Sequence, residues 1–176
     1  EGTATRVKIA DTYMGVPVTK IAKSAFSGNY LLHEIIISDS VISIGASAFS
    51  GCTDLTSIII PDNVTIIEED AFYGCSSLAS VYISNISKWC EIGFDGYSSN
   101  PCCNGAKLYL NDSLVTHLVI PDSVTSIGEY VFSGCSRLTS VTIPDSVTSI
   151  GSSAFSDCSL VTNINIPESV VFIGDS

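Results

Sequence analysis

The stretch PDSVTSIG fills residues 121–128 and recurs, letter for letter, at 144–151. Its flanks recur with it. Isoleucine precedes the motif at Ile120 and Ile143, and the same place is filled by Ile37, Ile60, Ile83 and Ile166. The steps 37 to 60, 60 to 83, 120 to 143 and 143 to 166 share a constant period of 23. A phenylalanine keeps the same phase at Phe26, Phe49, Phe72, Phe132 and Phe155, and so does a thiol at Cys52, Cys75, Cys135 and Cys158. The merged unit is C-x-x-L-x-x-[IV]-x-I-P-[DE]-S-V-x-x-I-G-x-x-A-F-x-G. Self-similarity at a fixed period of this size marks a solenoid, in which each unit buries its apolar face only by stacking on its neighbours.

One unit predicts one coil. In LTSVTIP (138–144), Val141 and Ile143 are two positions apart and so share one face of a strand. Pro144 ends the strand, and Asp145-Ser146 supplies a turn. Val147 and Ile150 re-enter the core on a second short extended segment, and Ala154-Phe155 forms a 3₁₀ or single helical turn before Cys158 closes the coil. Stacked coils then give a parallel sheet along one face.

Composition agrees with that plan and narrows the function. Hydrophobic residues make up 45% of the 176, yet the longest apolar runs are as short as EIIIS (34–38) and TSIIIP (56–61). None approaches the roughly 20 apolar residues of a membrane-spanning helix. A net charge of −11 opposes binding to nucleic acid, whose phosphates it would repel. The end IPESVVFIGDS stops midway through a unit, which reads as a cut through a longer array.

Two units depart from the period. The step from Ile9 to Ile37 is 28, the period of 23 plus an insertion of five. The step from Ile83 to Ile120 is 37, or 23 plus 14, and this long unit (about 84–120) contains KLYLNDSLVTHL, a hairpin turning at Asn111-Asp112. The hairpin is expected to widen one coil locally.

The segment IPDSVTSIGEYVFSGCSRLTSVTIP (120–144) resembles the BspA-like, or Treponema-type, leucine-rich repeats, and the resemblance runs over nearly the whole chain. It implies a single right-handed leucine-rich repeat domain over 1–176, mostly β, with the parallel sheet on its concave face and short strands and 3₁₀ turns opposite. It also implies an extracellular or cell-surface setting and adhesion to a host matrix or cell-surface protein. A glycan ligand, or a purely architectural spacer that displays other domains, is the alternative.

Function then has three places to sit. The outward residue of each strand forms a ladder, Lys8, Ile36, Ile59, Tyr82, Val119, Thr142 and Asn165, with His117 in the neighbouring outward row. Its apolar half, Ile36, Ile59, Tyr82 and Val119, rimmed by His117, is the candidate partner-binding strip. Strand propensity alone would also account for Ile and Val there. The long unit is second, since Trp89, Phe94, Tyr97 and Tyr109 gather in it. Its tip, Gly96 to Asn104, is expected to be exposed, while the aromatic residues fill space under the widened coil. Third, Asp39, Asp62, Asp122, Asp145 and Glu168 share one turn position. No D-x-D-x-D cluster makes them a calcium site, and each is expected to cap its own turn.

The periodic cysteines are expected to be a buried thiol ladder. Cys90, Cys102 and Cys103 are the better candidates for oxidation, and no C-x-x-C spacing suggests zinc. The histidines, His33 and His117, stand in outward positions without a catalytic partner, and no G-x-S-x-G is present. The sequence therefore points to no catalytic residue, metal or cofactor. Asn63, Asn85 and Asn111 each begin an N-x-S/T sequon.

Overall fold

In a computed structural model, residues 5–175 are described and form a solenoid of about seven turns, almost wholly β. The first coil carries β1 (Arg6–Lys8), a small antiparallel hairpin of β2 (Thr12–Tyr13) and β3 (Val16–Pro17), and β4 (Lys20–Ile21). The hairpin accounts for the five inserted residues. Two regular coils follow, β5 (Glu34–Ile36) with β6 (Ser43–Ile44) and β7 (Ser57–Ile59) with β8 (Ile66–Ile67). The fourth coil contains β9 (Ser80–Ile83), a short helix α1 (Ile86–Cys90), β10 (Gly93–Phe94) and a 3₁₀ turn over Tyr97–Ser99. Next come β11 (Lys107–Leu110) and β12 (Ser113–Leu114), paired antiparallel. The chain ends in regular coils: β13 (His117–Val119) and β14 (Ser126–Ile127), β15 (Ser140–Thr142) and β16 (Ser149–Ile150), β17 (Ile164–Asn165) and β18 (Phe172–Ile173).

The parallel pairing falls into two blocks on each face. On the longer-strand face, one sheet runs β1-β5-β7-β9-β11-β12 and a second runs β13-β15-β17. Opposite them are β10-β8-β6-β4 and β14-β16-β18. The expected single sheet is therefore interrupted, and the hairpin is what interrupts it. Leu110 is in register with Ile83, so the fourth coil closes after a step of 27, and the remaining ten, Leu110 to Ile120, are the hairpin. Rather than widening a coil, it adds β11 and β12 to one face. β11 has no strand of its own across the core. On that opposite face the fourth coil abuts the next directly, because a Cβ on Gly128 would lie 3.8 Å from the Ile92 carbonyl oxygen.

Inside, the repeated letters do what their spacing implies. Ile35, Ile58, Val81, Leu108, Leu118 and Val141 point inward from the strands and are buried, as are Val41, Val64, Val124 and Val147 from the second segments. Each such aliphatic side chain contributes about 1.5–3 kcal/mol by leaving water. Phe26, Phe49 and Phe72 stack ring on ring at 5.5 and 5.4 Å, and Phe132 stacks on Phe155 at 5.5 Å. The Ala-Phe corner is a run of single turns, such as Ala48 N–H to Gly45 O and Cys52 N–H to Phe49 O. Its backbone also bonds along the axis, Phe49 N–H reaching Ala71 O at 2.9 Å.

The turn after each strand corrects one expectation. Val147 N–H closes it by donating to Pro144 O, and Ser146 Oγ donates to Val124 O of the preceding coil at 2.8 Å. Ser40 and Ser169 repeat that bond to Val18 and Val147. Serine, not aspartate, ties the turn down. Asp39, Asp62, Asp122, Asp145 and Glu168 are exposed, with their carboxylates at the surface.

Candidate binding face

The binding face is built from outward residues of neighbouring strands. Register pairs Lys8 with Ile36, Ile59 with Tyr82, and Tyr82 with Tyr109, while the pairing of Ile35 with Ile58 sets Ile36 beside Ile59. The outward ladder of this sheet is thus Lys8, Ile36, Ile59, Tyr82, Tyr109. Ile36 is 44% and Ile59 56% exposed, and the rings of Tyr82 and Tyr109 stack with centroids 4.8 Å apart. Rigid neighbours on both sides hold these side chains in place, so little conformational freedom is left to lose on binding.

The expected strip is split. Ile36, Ile59 and Tyr82 come together, but Tyr109 stands where the spacing predicts Val119. Val119, 62% exposed, lies in the second sheet beside Thr142. His117 lies there too, its Nδ1 2.8 Å from Ser140 Oγ. The physical reason is the completed fourth coil, which inserts β11 between the two. A sequence signal for this exists. Leu108-x-Leu110-Asn111-Asp112 has the pattern of Ile58-x-Ile60-Pro61-Asp62, a strand end followed by its turn.

Where the strands of this sheet end, a groove of about 480 Å³ opens. Ile59 and Tyr82 form its apolar wall, Asp39 and Asp62 its turn-side wall, and the hairpin tip Asn111-Asp112 stands at its end. The tip is a tight turn with both residues left-handed, φ 48° and 62°, a conformation that Asn and Asp tolerate. Asp112 follows Leu110 by two positions, as Asp39 and Asp62 follow Ile37 and Ile60. In the fourth coil that place belongs to Asn85, whose Oδ1 accepts the Lys88 N–H and caps α1. Ser84 Oγ donates to Asp62 Oδ1 at 2.7 Å, and Asn63 Nδ2 donates to Asp39 O at 2.8 Å. These bonds fix the groove wall.

The rest of the long unit is structural. Trp89 and Phe94 are buried and meet edge to face at 5.2 Å, filling the coil as the spacing suggests. Trp89 Nε1 donates to Val131 O at 2.9 Å, and Asn100 Nδ2 donates to Tyr130 O and Val131 O. Tyr97 is partly exposed, and its hydroxyl donates to Cys103 O at 2.6 Å. The segment Gly96 to Asn104, expected to be an exposed tip, is mostly interior: Ser99, Asn100, Pro101, Cys102 and Cys103 are all buried. Ser99 takes the place of the repeat phenylalanine and Cys102 that of the repeat cysteine, one long step of 27 after Phe72 and Cys75.

All seven cysteines are free and buried, Cys90, Cys102 and Cys103 included, so these three are no more open to an oxidant than the periodic four. Cys52, Cys75 and Cys158 donate to the carbonyl of the phenylalanine one coil back at 3.1–3.2 Å. Burial pushes the thiols of Cys75, Cys90 and Cys158 up to about 12, and that of Cys52 to about 11. The thiol of Cys135 is raised by its hydrogen bond with Cys102 and by burial. Among the described residues, no group of three or more His, Cys, Asp or Glu could hold a metal ion. No described helix is long and apolar enough to cross a membrane.

Comparison with known proteins agrees with the geometry. No curated protein matches. Among solved structures, a leucine-rich repeat protein from Bacteroides ovatus is 26% identical with a TM-score of 0.60, over 97% of this chain and 48% of that one. One from Eubacterium ventriosum is 21% identical with a TM-score of 0.50, over 97% and 56%. The leucine-rich repeat protein of T. pallidum is 28% identical with a TM-score of 0.49, over 99% and 71%. The chain thus spans about half of the B. ovatus and E. ventriosum chains. The model of the BspA type leucine rich repeat region matches in six copies over residues 8–100 and 105–176, and the chain belongs to that family.

Proposed function

We propose that the protein is a recognition module that holds a protein partner on the outer face of its six-stranded sheet, outside the cell or at its surface, as an adhesion element. The observation that carries this reading is the outward ladder of exposed Ile36 and Ile59 and half-buried, stacked Tyr82 and Tyr109, set on a sheet whose inner side packs into the core. Large apolar and aromatic side chains on a rigid surface are what binding hot spots are made of. Val119 and His117 provide a second, smaller contact area beyond the hairpin. The outward side chains offer contact surface without an assembled acid, base or nucleophile, and this favours binding over chemistry. The test is binding of the purified chain to immobilised matrix glycoproteins, beside the double variant Ile59→Ser/Tyr82→Ala. Saturable binding lost by about tenfold or more in the variant, with an unchanged melting temperature, supports the face as the site. Binding that survives in the variant overturns it, and absence of binding by the parent favours a spacer.

A further inference from the structure

The groove at the strand ends carries a charge that its own chain leaves unanswered. Asp39, Asp62 and Asp112 line it, and no lysine or arginine does. The sequence has only seven lysines and arginines, and three of them, Arg6, Lys20 and Lys88, are already paired with Glu34, Glu68 and Glu91. Beside these carboxylates lie Ile59, more than half exposed, and Tyr82, whose ring is backed by that of Tyr109. We infer that this groove takes an extended, basic segment of the protein partner, in which arginine or lysine alternates with apolar residues. The inference rests on the reading of the sheet face as a protein-binding surface and names the chemistry of what binds there.

Each part of the groove suits that occupant. A guanidinium or ammonium group meets carboxylate oxygens at one wall, while its methylene stem lies on Ile59 and the Tyr82 ring. Successive turn positions of a stack are about 4.8 Å apart, so Asp39 and Asp62 fall one step apart and Asp62 and Asp112 two. Side chains two positions apart on an extended chain are about 6.6 Å apart, close enough for their flexible basic ends to reach both spacings. A neutral sugar would use the aromatic wall but leave the grouped negative charge uncompensated. The second half of the chain provides the contrast. Its turn carboxylates Asp122, Asp145 and Glu168 stand beside Val119, Thr142 and Asn165, a row with a single exposed aliphatic side chain, no stacked aromatic pair and no hairpin at the end.

The experiment is fluorescence anisotropy with a labelled hexapeptide alternating arginine and leucine, beside its glutamate-for-arginine counterpart and a neutral oligosaccharide. The arginine peptide should bind, and added salt should weaken it about tenfold. Asp62→Asn/Asp112→Asn should lose about tenfold in affinity, and Asp122→Asn/Asp145→Asn, which removes the same charge, less than about twofold. Asparagine keeps an oxygen for the Ser84 hydroxyl, so folding is preserved, and a thermal melt checks that. Equal losses in the two variants would reduce the effect to diffuse net charge and overturn the inference. So would binding of the glutamate peptide, of the oligosaccharide alone, or of neither peptide. If matrix glycoproteins still bind and Ile59→Ser/Tyr82→Ala still abolishes that, only the basic segment falls. If the glycoproteins bind that variant equally well, the reading of the face falls with it.

Discussion

The two halves of this solenoid share a core and differ in their faces. In the first, the outward row is Ile36, Ile59, Tyr82 and Tyr109; in the second it is Val119, Thr142 and Asn165. The inward residues of the same strands are aliphatic in both halves and nearly all buried. A core position is constrained by the coil above and the coil below, so it can change only with its neighbours. An outward position touches only its row and the solvent. The repeat therefore specifies the stack and leaves the face free to vary.

The strongest way to break the comparison is at the core, where the halves should respond alike. Phe49→Ala and Phe132→Ala each empty a fully buried ring position, and each should cost about 3–5 kcal/mol in chemical denaturation. Phe155, like Phe132, stacks on one ring only, but it is half-buried, so Phe155→Ala should cost less than half as much. Similar losses at Phe132 and Phe155, which share one stacking contact and differ in burial, would show that stacking, rather than burial, carries the energy.

Glycines at equivalent corners sharpen the comparison at the irregular coil. Gly51 and Gly134 are both left-handed, φ 73° and 75°. A Cβ on Gly51 would meet nothing closer than 3.6 Å, so Gly51→Ala should cost about 1 kcal/mol, the penalty for an L residue there. A Cβ on Gly134 would press into the Cys102 peptide, 2.8 Å from its carbonyl carbon. Gly134→Ala should therefore lose roughly 3 kcal/mol, the extra coming from overpacking. Equal melting temperatures for the two variants would mean the fourth coil yields easily.

The smallest expected signal is chemical. With all seven cysteines buried, and the thiols of Cys52, Cys75, Cys90, Cys103 and Cys158 pushed to about 11–12 by burial, a thiol-specific chromogenic reagent at pH 8 should label none in the folded chain and all seven in denaturant. The folded values lie above the ordinary thiol value of 9.0, so the linked stability is present below pH 9 and declines as pH rises toward the folded values. Labelling of Cys102 or Cys103 alone in the folded protein would show that the fourth coil opens independently of its neighbours.

Most of the stack was legible in the sequence because its cause is periodic. Ile37, Val41, Phe49 and Cys52 recur with the period of 23, and each has its counterpart in the same place one coil on. The hairpin at Asn111-Asp112 was legible from turn chemistry. The fourth coil was not, because Ser99 stands where phenylalanine marks the phase elsewhere, and Trp89 and Asn100 make their bonds to Val131 from positions with no counterpart in other units. Without that marker, the extra 14 looked like one insertion, when four belong to the coil and ten to the hairpin. Tyr109 was lost from the ladder for the same reason.

The unmatched strand has a mechanical meaning. β11 and β12 lengthen one side of the stack by at least one strand spacing, about 4.8 Å, while on the other side the fourth coil abuts the next. Across a core about 10 Å thick, that mismatch is a wedge of at least about 25°. The hairpin then acts as a keystone, turning the axis of the second half away from that of the first. Deleting residues 111–120 and rejoining the coils would straighten the rod, and small-angle scattering would read the change as an altered maximum dimension.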